Sequence, residues 1–142
     1  KDASAIYSPQ LAGRGREKLE LESALHKAIE RDELVLHYQP KVDVRSARMV
    51  GAEALIRWNN PTLGEISPDD FISHAETTGD IVRIGAWVID AACRQMAAWR
   101  ADGLHVERVA VNVSYRQFLT EDLVQTIANA LRLLDVQAPD VM

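Results

Sequence analysis

Glu53 and Arg57 lie within the otherwise apolar run Val50-Gly51-Ala52-Glu53-Ala54-Leu55-Ile56-Arg57-Trp58. Side chains alternate along a strand, so Gly51, Glu53, Leu55 and Arg57 share one face, while Val50, Ala52, Ala54 and Ile56 share the other and read as core. A carboxylate among apolar residues stays there only with a cation, a metal or a hydrogen-bond partner. Along a strand Glu53 and Arg57 are roughly 13 Å apart, too far for a direct pair, so each is expected to have its own client. The same arrangement recurs twice. In Leu34 to Gln39, Val35, His37 and Gln39 oppose Leu34, Leu36 and Tyr38; in Val109 to Ser114, Ala110, Asn112 and Ser114 oppose three valines. Strands buried on both faces are nearly continuous hydrophobic runs, so polar groups recurring late in strands point to a site. In a closed barrel such a site gathers at the carboxyl ends of the strands. Glu53 and Asn112 would offer the carboxylate and amide oxygens that a hard divalent cation prefers. Arg57 could grip a phosphate with two parallel hydrogen bonds. Simpler readings stand beside these: a structural salt bridge for Glu53, a backbone-bonding role for Asn112, a strand terminus for Gln39, and a core or rim place for His37. Asp69 and Asp70 are accounted for as helix-start charges, and Trp58, Trp87 and Trp99 as packing.

The elements that must position these residues follow from periodicity and punctuation. Residues 1–16, with Pro9, Gly13 and Gly15, read as a linker or the tail of a preceding module. From Glu17 to Arg31, Leu21, Ala24, Leu25, Ala28 and Ile29 recur at helical spacing. Strands are predicted over Leu34 to Gln39, stopped by Pro40, and over Met49 to Trp58. The polar stretch Asp43 to Arg48 between them makes a hairpin of antiparallel neighbours. Ser67-Pro68-Asp69-Asp70 starts a helix that ends near Gly79. A longer helix runs from about Ile81 to Ala101 and stops at Gly103. A strand at Val109 to Ser114 follows, and Thr120-Glu121-Asp122 caps a last helix reaching about Leu134. Helix and strand alternate after the first hairpin, which predicts an α/β fold with at least part of a parallel sheet.

Composition narrows the function classes. The chain has 142 residues, 47% hydrophobic and 26% charged, enough for one domain with a core. Its net charge of -5 argues against binding a nucleic acid polymer through a broad basic surface. If the ligand is a phosphate ester, metal cations must supply much of the positive charge. A single cysteine, Cys93, excludes disulfides and cysteine-ligated zinc within the chain. There is no apolar run near the ~20 residues of a membrane span, and Lys1-Asp2-Ala3-Ser4 is not a signal peptide. The segment is therefore expected in the cytoplasm, either alone or as the cytoplasmic part of a membrane-tethered sensor.

The run Tyr38-Gln39-Pro40, then Gly51 to Trp58, Pro61, Gly64, Ile66, Pro68, Phe71-Ile72, Ala75-Glu76, Gly79, Ile84-Gly85, Trp87-Val88 and Val111-Asn112-Val113-Ser114 resembles the first half of an EAL domain. The likeness extends from about Glu33 to Leu134. It implies a partial (β/α)8 barrel with an antiparallel first strand, truncated at about half, from a protein that hydrolyses the bacterial second messenger cyclic di-GMP to linear pGpG. By resemblance, Glu53 and Asn112 are ligands in a centre of two divalent ions, Mg2+ or Mn2+, while Gln39, Leu55 and Arg57 contact the nucleotide. The same resemblance divides the chain into a linker or tail at 1–16, a connector helix at 17–32 and the EAL portion at 33–142. The connector resembles the helix that often follows a GGDEF diguanylate cyclase domain, so an upstream cyclase or sensor domain is an expected partner. The chain departs from the family in two respects. Asn60 precedes Pro61 where the family often has His; the position reads as a loop, and little loss is expected. A complete barrel needs about 250 residues, and the later paired aspartates, lysine and further glutamate are absent here. The segment alone is therefore expected to be inactive, with an unpaired edge that favours aggregation, swapping or a homodimer. A degenerate domain that binds cyclic di-GMP without cleaving it, and a half serving only assembly or left by proteolysis, remain alternatives.

Overall fold

The long strand β2 (Met49–Asn60) organises the molecule, because β1 (Leu34–Val42) pairs along one edge and two short strands share the other. The structure is a computed structural model that describes residues 9–104, 106–114, 116, 119 and 122–134. β1 and β2 are antiparallel, from Leu34 opposite Trp58 to Val42 opposite Met49, with a bulge between Lys41 and Val42. Asp43 closes the hairpin: its carboxylate accepts the Arg45 amide at 3.0 Å and the Ser46 hydroxyl at 3.2 Å. Pro40 does not stop β1, contrary to expectation. It lies opposite Ala52, whose N–H donates to the Arg108 carbonyl on the far side of β2 at 2.9 Å. Pro40 therefore occupies a non-hydrogen-bonded pair, and its missing N–H falls on the outer edge, where the ladder requires no donor.

On the other edge of β2, β4 (Val109–Val111) pairs in parallel with residues 52–54, and β3 (Gly64–Ile66) pairs antiparallel with residues 58–60. β3 was not anticipated, and β4 ends at Val111 rather than at Ser114. Three helices follow the same chain order as predicted: α2 (Pro68–Thr78), α3 (Asp80–Ala101) and α4 (Asp122–Leu134). Ser67 has the extended backbone of an N-cap, φ -61° and ψ 138°, but its side chain makes no capping bond. Gly79, at φ 91°, joins α2 to α3 in a left-handed turn that suits glycine. The expected cap residues Thr120 and Glu121 lie outside the described residues.

The stretch 1–16, read as a linker or the tail of a preceding module, is helical from Pro9, where α1 (Pro9–Lys27) begins. A proline at the first helical position lacks only an N–H that would have no helical partner. Gly13 and Gly15 each cost about 1 kcal/mol relative to alanine, too little to break a helix favoured by the residues around them. Residues 1–8 of that linker lie outside the described residues. α1 also stops at Lys27 rather than Arg31; Asp32, at φ 55°, then turns the chain into β1. Leu25 and Ala28 are buried in one cluster with Leu34, Trp58, Phe71, Ala75 and Ile84, so the predicted connector shares the main core.

The core lies on the even-numbered face of β2, where Ala52, Ala54 and Trp58 are buried against the helices. Trp58 meets Phe71 edge to face at 5.7 Å, and Tyr38 meets Trp99 likewise at 4.9 Å. Burial, with a smaller contribution from the Cys93 thiol, pushes the Tyr38 phenol up to about 12. The fold thus favours neutral Tyr38. Its contribution to stability is fully present below the ordinary value near 10 and is lost as pH rises from there to about 12. Tyr38→Phe should flatten the loss of melting temperature across that alkaline window, and an unchanged pH profile would assign the loss elsewhere. Among the described residues no helix is long and apolar enough to cross a membrane.

Candidate functional site

The opposite, odd-numbered face of the sheet carries the polar residues. Register places Gln39 of β1 and Ala110 of β4 on either side of Glu53, His37 opposite Leu55, and Val35 opposite Arg57. β2 and β4 are parallel neighbours, and β4 ends beside the middle of β2, with Val111 opposite Ala54. Asn112, one residue past β4, thereby reaches Glu53: its Nδ2 donates to Glu53 Oε2 at 3.0 Å. Glu53 is half-buried, whereas Asn112, Gln39 and His37 are exposed. Among the described residues Glu53 joins no ion pair, so the structural salt bridge considered for it is not formed. The partly buried Arg57 donates from Nη1 to its neighbour's carbonyl, Ile56 O, at 3.0 Å.

The pair presents a carboxylate and an amide carbonyl, both hard oxygen donors of the kind Mg2+ and Mn2+ take. Among the described residues no group of three or more His, Cys, Asp and Glu side chains could hold a metal ion. Glu53 and Asn112 supply two oxygen donors, too few by themselves for such a group. Asn112, but not Glu53, also borders a mainly apolar cavity of about 280 Å³ whose lining includes Ile56, Arg57, Glu76, Ile84 and Val88.

Gly51 sets the spacing of β2 and β4. A Cβ there would stand 2.8 Å from the Arg108 carbonyl oxygen, the same atom that accepts the Ala52 N–H. Gly51→Ala should therefore push β4 outward and lower stability by about 1–3 kcal/mol, the usual range for overpacking. Urea denaturation would measure this, and an unchanged midpoint would show that the strands yield freely.

Two groups of residues escaped sequence reasoning. Glu33 is buried at the mouth of the hairpin and accepts the Trp58 indole N–H at 2.9 Å and the Asn60 amide at 3.1 Å. Asn60 Oδ1 in turn accepts the backbone N–H groups of Thr62 and Leu63 at 2.9 and 2.8 Å. Asn60 is thus a buried end of β2 that holds the following turn, not the loop position expected. The second group is Glu76, Ser114 and Arg116. Ser114 Oγ donates to Glu76 Oε2 at 2.7 Å, and Arg116 Nη1 donates to the Glu76 carbonyl. An Ala-Glu pair in a helix and a Ser two residues past an Asn were visible in the sequence, but nothing in it brought them together.

The family described as EAL domain matches residues 22–140. The bifunctional diguanylate cyclase/cyclic di-GMP phosphodiesterase MucR of Pseudomonas aeruginosa is 45% identical over 132 residues, which are 92% of this chain and 19% of that protein. The cyclic di-GMP phosphodiesterase PdeR of Escherichia coli is 42% identical over 132 residues, 93% of this chain and 20% of its own length. Among solved structures, the PaMucR phosphodiesterase in complex with c-di-GMP superposes with a TM-score of 0.81 at 45% identity, covering 86% of this chain and 49% of that one. The cGMP-bound EAL enzyme Bd1971 gives a TM-score of 0.78 at 28% identity, covering 92% of this chain and 37% of that one. The chain thus spans about a fifth of these two curated relatives' length and about half of the solved MucR domain.

Proposed function

This chain belongs to the EAL domain family, and on that premise we propose that the protein containing it hydrolyses cyclic di-GMP to linear pGpG. The observation that carries the reading is the Glu53–Asn112 hydrogen bond, made across two adjacent parallel strands just past the end of β4. The names of MucR and PdeR, and the nucleotide in the MucR structure, support it. In this proposal Glu53 and Asn112 Oδ1 hold Mg2+ or Mn2+, and further acidic ligands come from the portion of the domain outside this sequence. Bound divalent ions would lower the pKa of a water and stabilise charge on the phosphodiester as it is attacked in line. Arg57 would leave its contact with Ile56 O to grip a phosphate oxygen, orienting the diester without moving a proton. Gln39 would offer its amide to the nucleotide, and Leu55 an apolar surface. An upstream cyclase or sensor domain leading into α1 completes the proposed arrangement, and 17–32 then serves as connector as well as core.

The test is to incubate the full-length protein with cyclic di-GMP and Mg2+ or Mn2+ and resolve the products by chromatography. Appearance of pGpG, abolished by a chelator, is the expected result. Tight binding without product would make the domain a receptor, and absence of both would overturn the reading. Arg57→Ala should weaken nucleotide binding by about tenfold or more, since a hydrogen bond to a charged group contributes about 1.5–3 kcal/mol. An unaltered dissociation constant would show that Arg57 serves its own backbone only.

A further inference from the structure

Asn112 stands one residue beyond the last ladder residue of β4 and is exposed, so its side chain is not oriented by burial. A second set of contacts holds the segment that follows it. Ser114, two residues on, donates its hydroxyl to Glu76 Oε2 at 2.7 Å and accepts the Arg116 N–H at 3.3 Å. The Arg116 guanidinium reaches back to the end of α2, donating to the Glu76 carbonyl and lying 3.5 Å from the Thr77 carbonyl. These are among the last carbonyls of α2, which have no helical partner and carry partial negative charge, so a cation is suited to them. The same guanidinium lies over the Gly79 turn, where a Cβ would come within 3.6 Å of Nη2. α2 is itself anchored by the buried Phe71 and Ala75.

We propose that Arg116 and Glu76 form a clamp that transfers the rigidity of the α2 core to Asn112, making Arg116 a positioning residue for the amide that faces Glu53. The proposal deepens the reading above and rests on it for the purpose of the clamp. Its geometry is independent of that reading. With the clamp intact, the segment from Asn112 to Arg116 is tied at both ends, to β2 through Asn112 Nδ2 and to α2 through Ser114 and Arg116. Without it, the side chain of Asn112 would keep the Glu53 hydrogen bond but lose the support of the segment that follows it. Groups that orient a metal ligand from behind typically change metal affinity 10–100-fold when removed.

In the full-length protein, Arg116→Ala and Glu76→Ala should each weaken Mn2+ binding about tenfold or more, read without nucleotide from the electron paramagnetic resonance of free Mn2+. Both should also speed hydrogen exchange at residues 112–114 while residues 52–54 of β2 stay protected. Arg116→Lys, which keeps a cationic donor for the helix end, should recover much of both. If Mn2+ affinity and exchange match the wild type in both alanine variants while Asn112→Ala loses Mn2+, the clamp is refuted and the metal assignment survives. If Asn112→Ala binds Mn2+ like the wild type, the metal assignment fails, and exchange at 112–114 alone decides the clamp. Should an alanine variant fail to fold, Ser114→Ala, which removes a single hydroxyl, is judged by the same two readings.

Discussion

Glu53→Ala in the full-length protein should reduce turnover of cyclic di-GMP by about a thousandfold or more while leaving the fold almost as stable as before. Divalent ions contribute several kcal/mol to phosphodiester hydrolysis, and each 1.4 kcal/mol is a factor of ten in rate, so losing a carboxylate ligand reaches that scale. The small effect on stability follows from the surroundings. Glu53 is half-buried and joins no ion pair among the described residues, so its removal strands no buried cation. Asn112 loses an acceptor, but it is exposed, and water can take the vacated bond. Glu53→Gln separates charge from shape: the amide can still accept a hydrogen bond from Asn112 but binds a cation weakly, so it should be nearly as inactive as the alanine variant. Product chromatography measures the turnover, and thermal melting measures the fold. Unchanged turnover would remove Glu53 from the metal site; lost turnover with a collapsed melt would make it a structural residue.

What was legible in the sequence follows the range of the forces involved. Alternation along β2 is a property of the local backbone, so the shared face of Glu53, Leu55 and Arg57 could be read directly. The same rule placed Gln39 on one face of β1 and Asn112 on one face beyond β4. It could not say that Gln39 falls opposite Glu53, because register is set by the whole hairpin. Pro40 misled because a missing N–H matters only where the ladder needs it, and that depends on which neighbour lies across the edge. β3 has no local signature, being three residues held by residues 58–60 of β2. Asn60 was read as a loop position and Glu33 was given no role, since polar groups are read as exposed unless a partner is in view; each is the other's partner across the hairpin mouth. Arg116 shows the same limit, because its partners are carbonyls that become available only once α2 has formed and ended.

Trp58→Ala should lower stability by about 3–5 kcal/mol, the range for deleting a large core aromatic. Trp58 is fully buried, packs edge to face on Phe71 at 5.7 Å, and joins β2 to α1 and α2 in one cluster. Its indole N–H also satisfies the Glu33 carboxylate, which is only 7% exposed and would be left with Asn60 as its remaining side-chain donor. Against a typical domain stability of 5–15 kcal/mol, such a loss puts the alanine variant near the edge of folding. Trp58→Phe divides the effect: it keeps most of the packing and removes the donor, so about 1–3 kcal/mol of the loss should remain. Urea denaturation monitored on the EAL portion of the full-length protein measures both. If Trp58→Phe is neutral, Glu33 has found another partner and the buried bond has no net value. If it equals Trp58→Ala, the bond outweighs the packing. Trp58 and Glu53 stand on opposite faces of the same strand, so the phenylalanine variant should lose stability without losing nucleotide affinity. Should affinity fall in step with stability, the two faces of β2 are coupled through the strand itself.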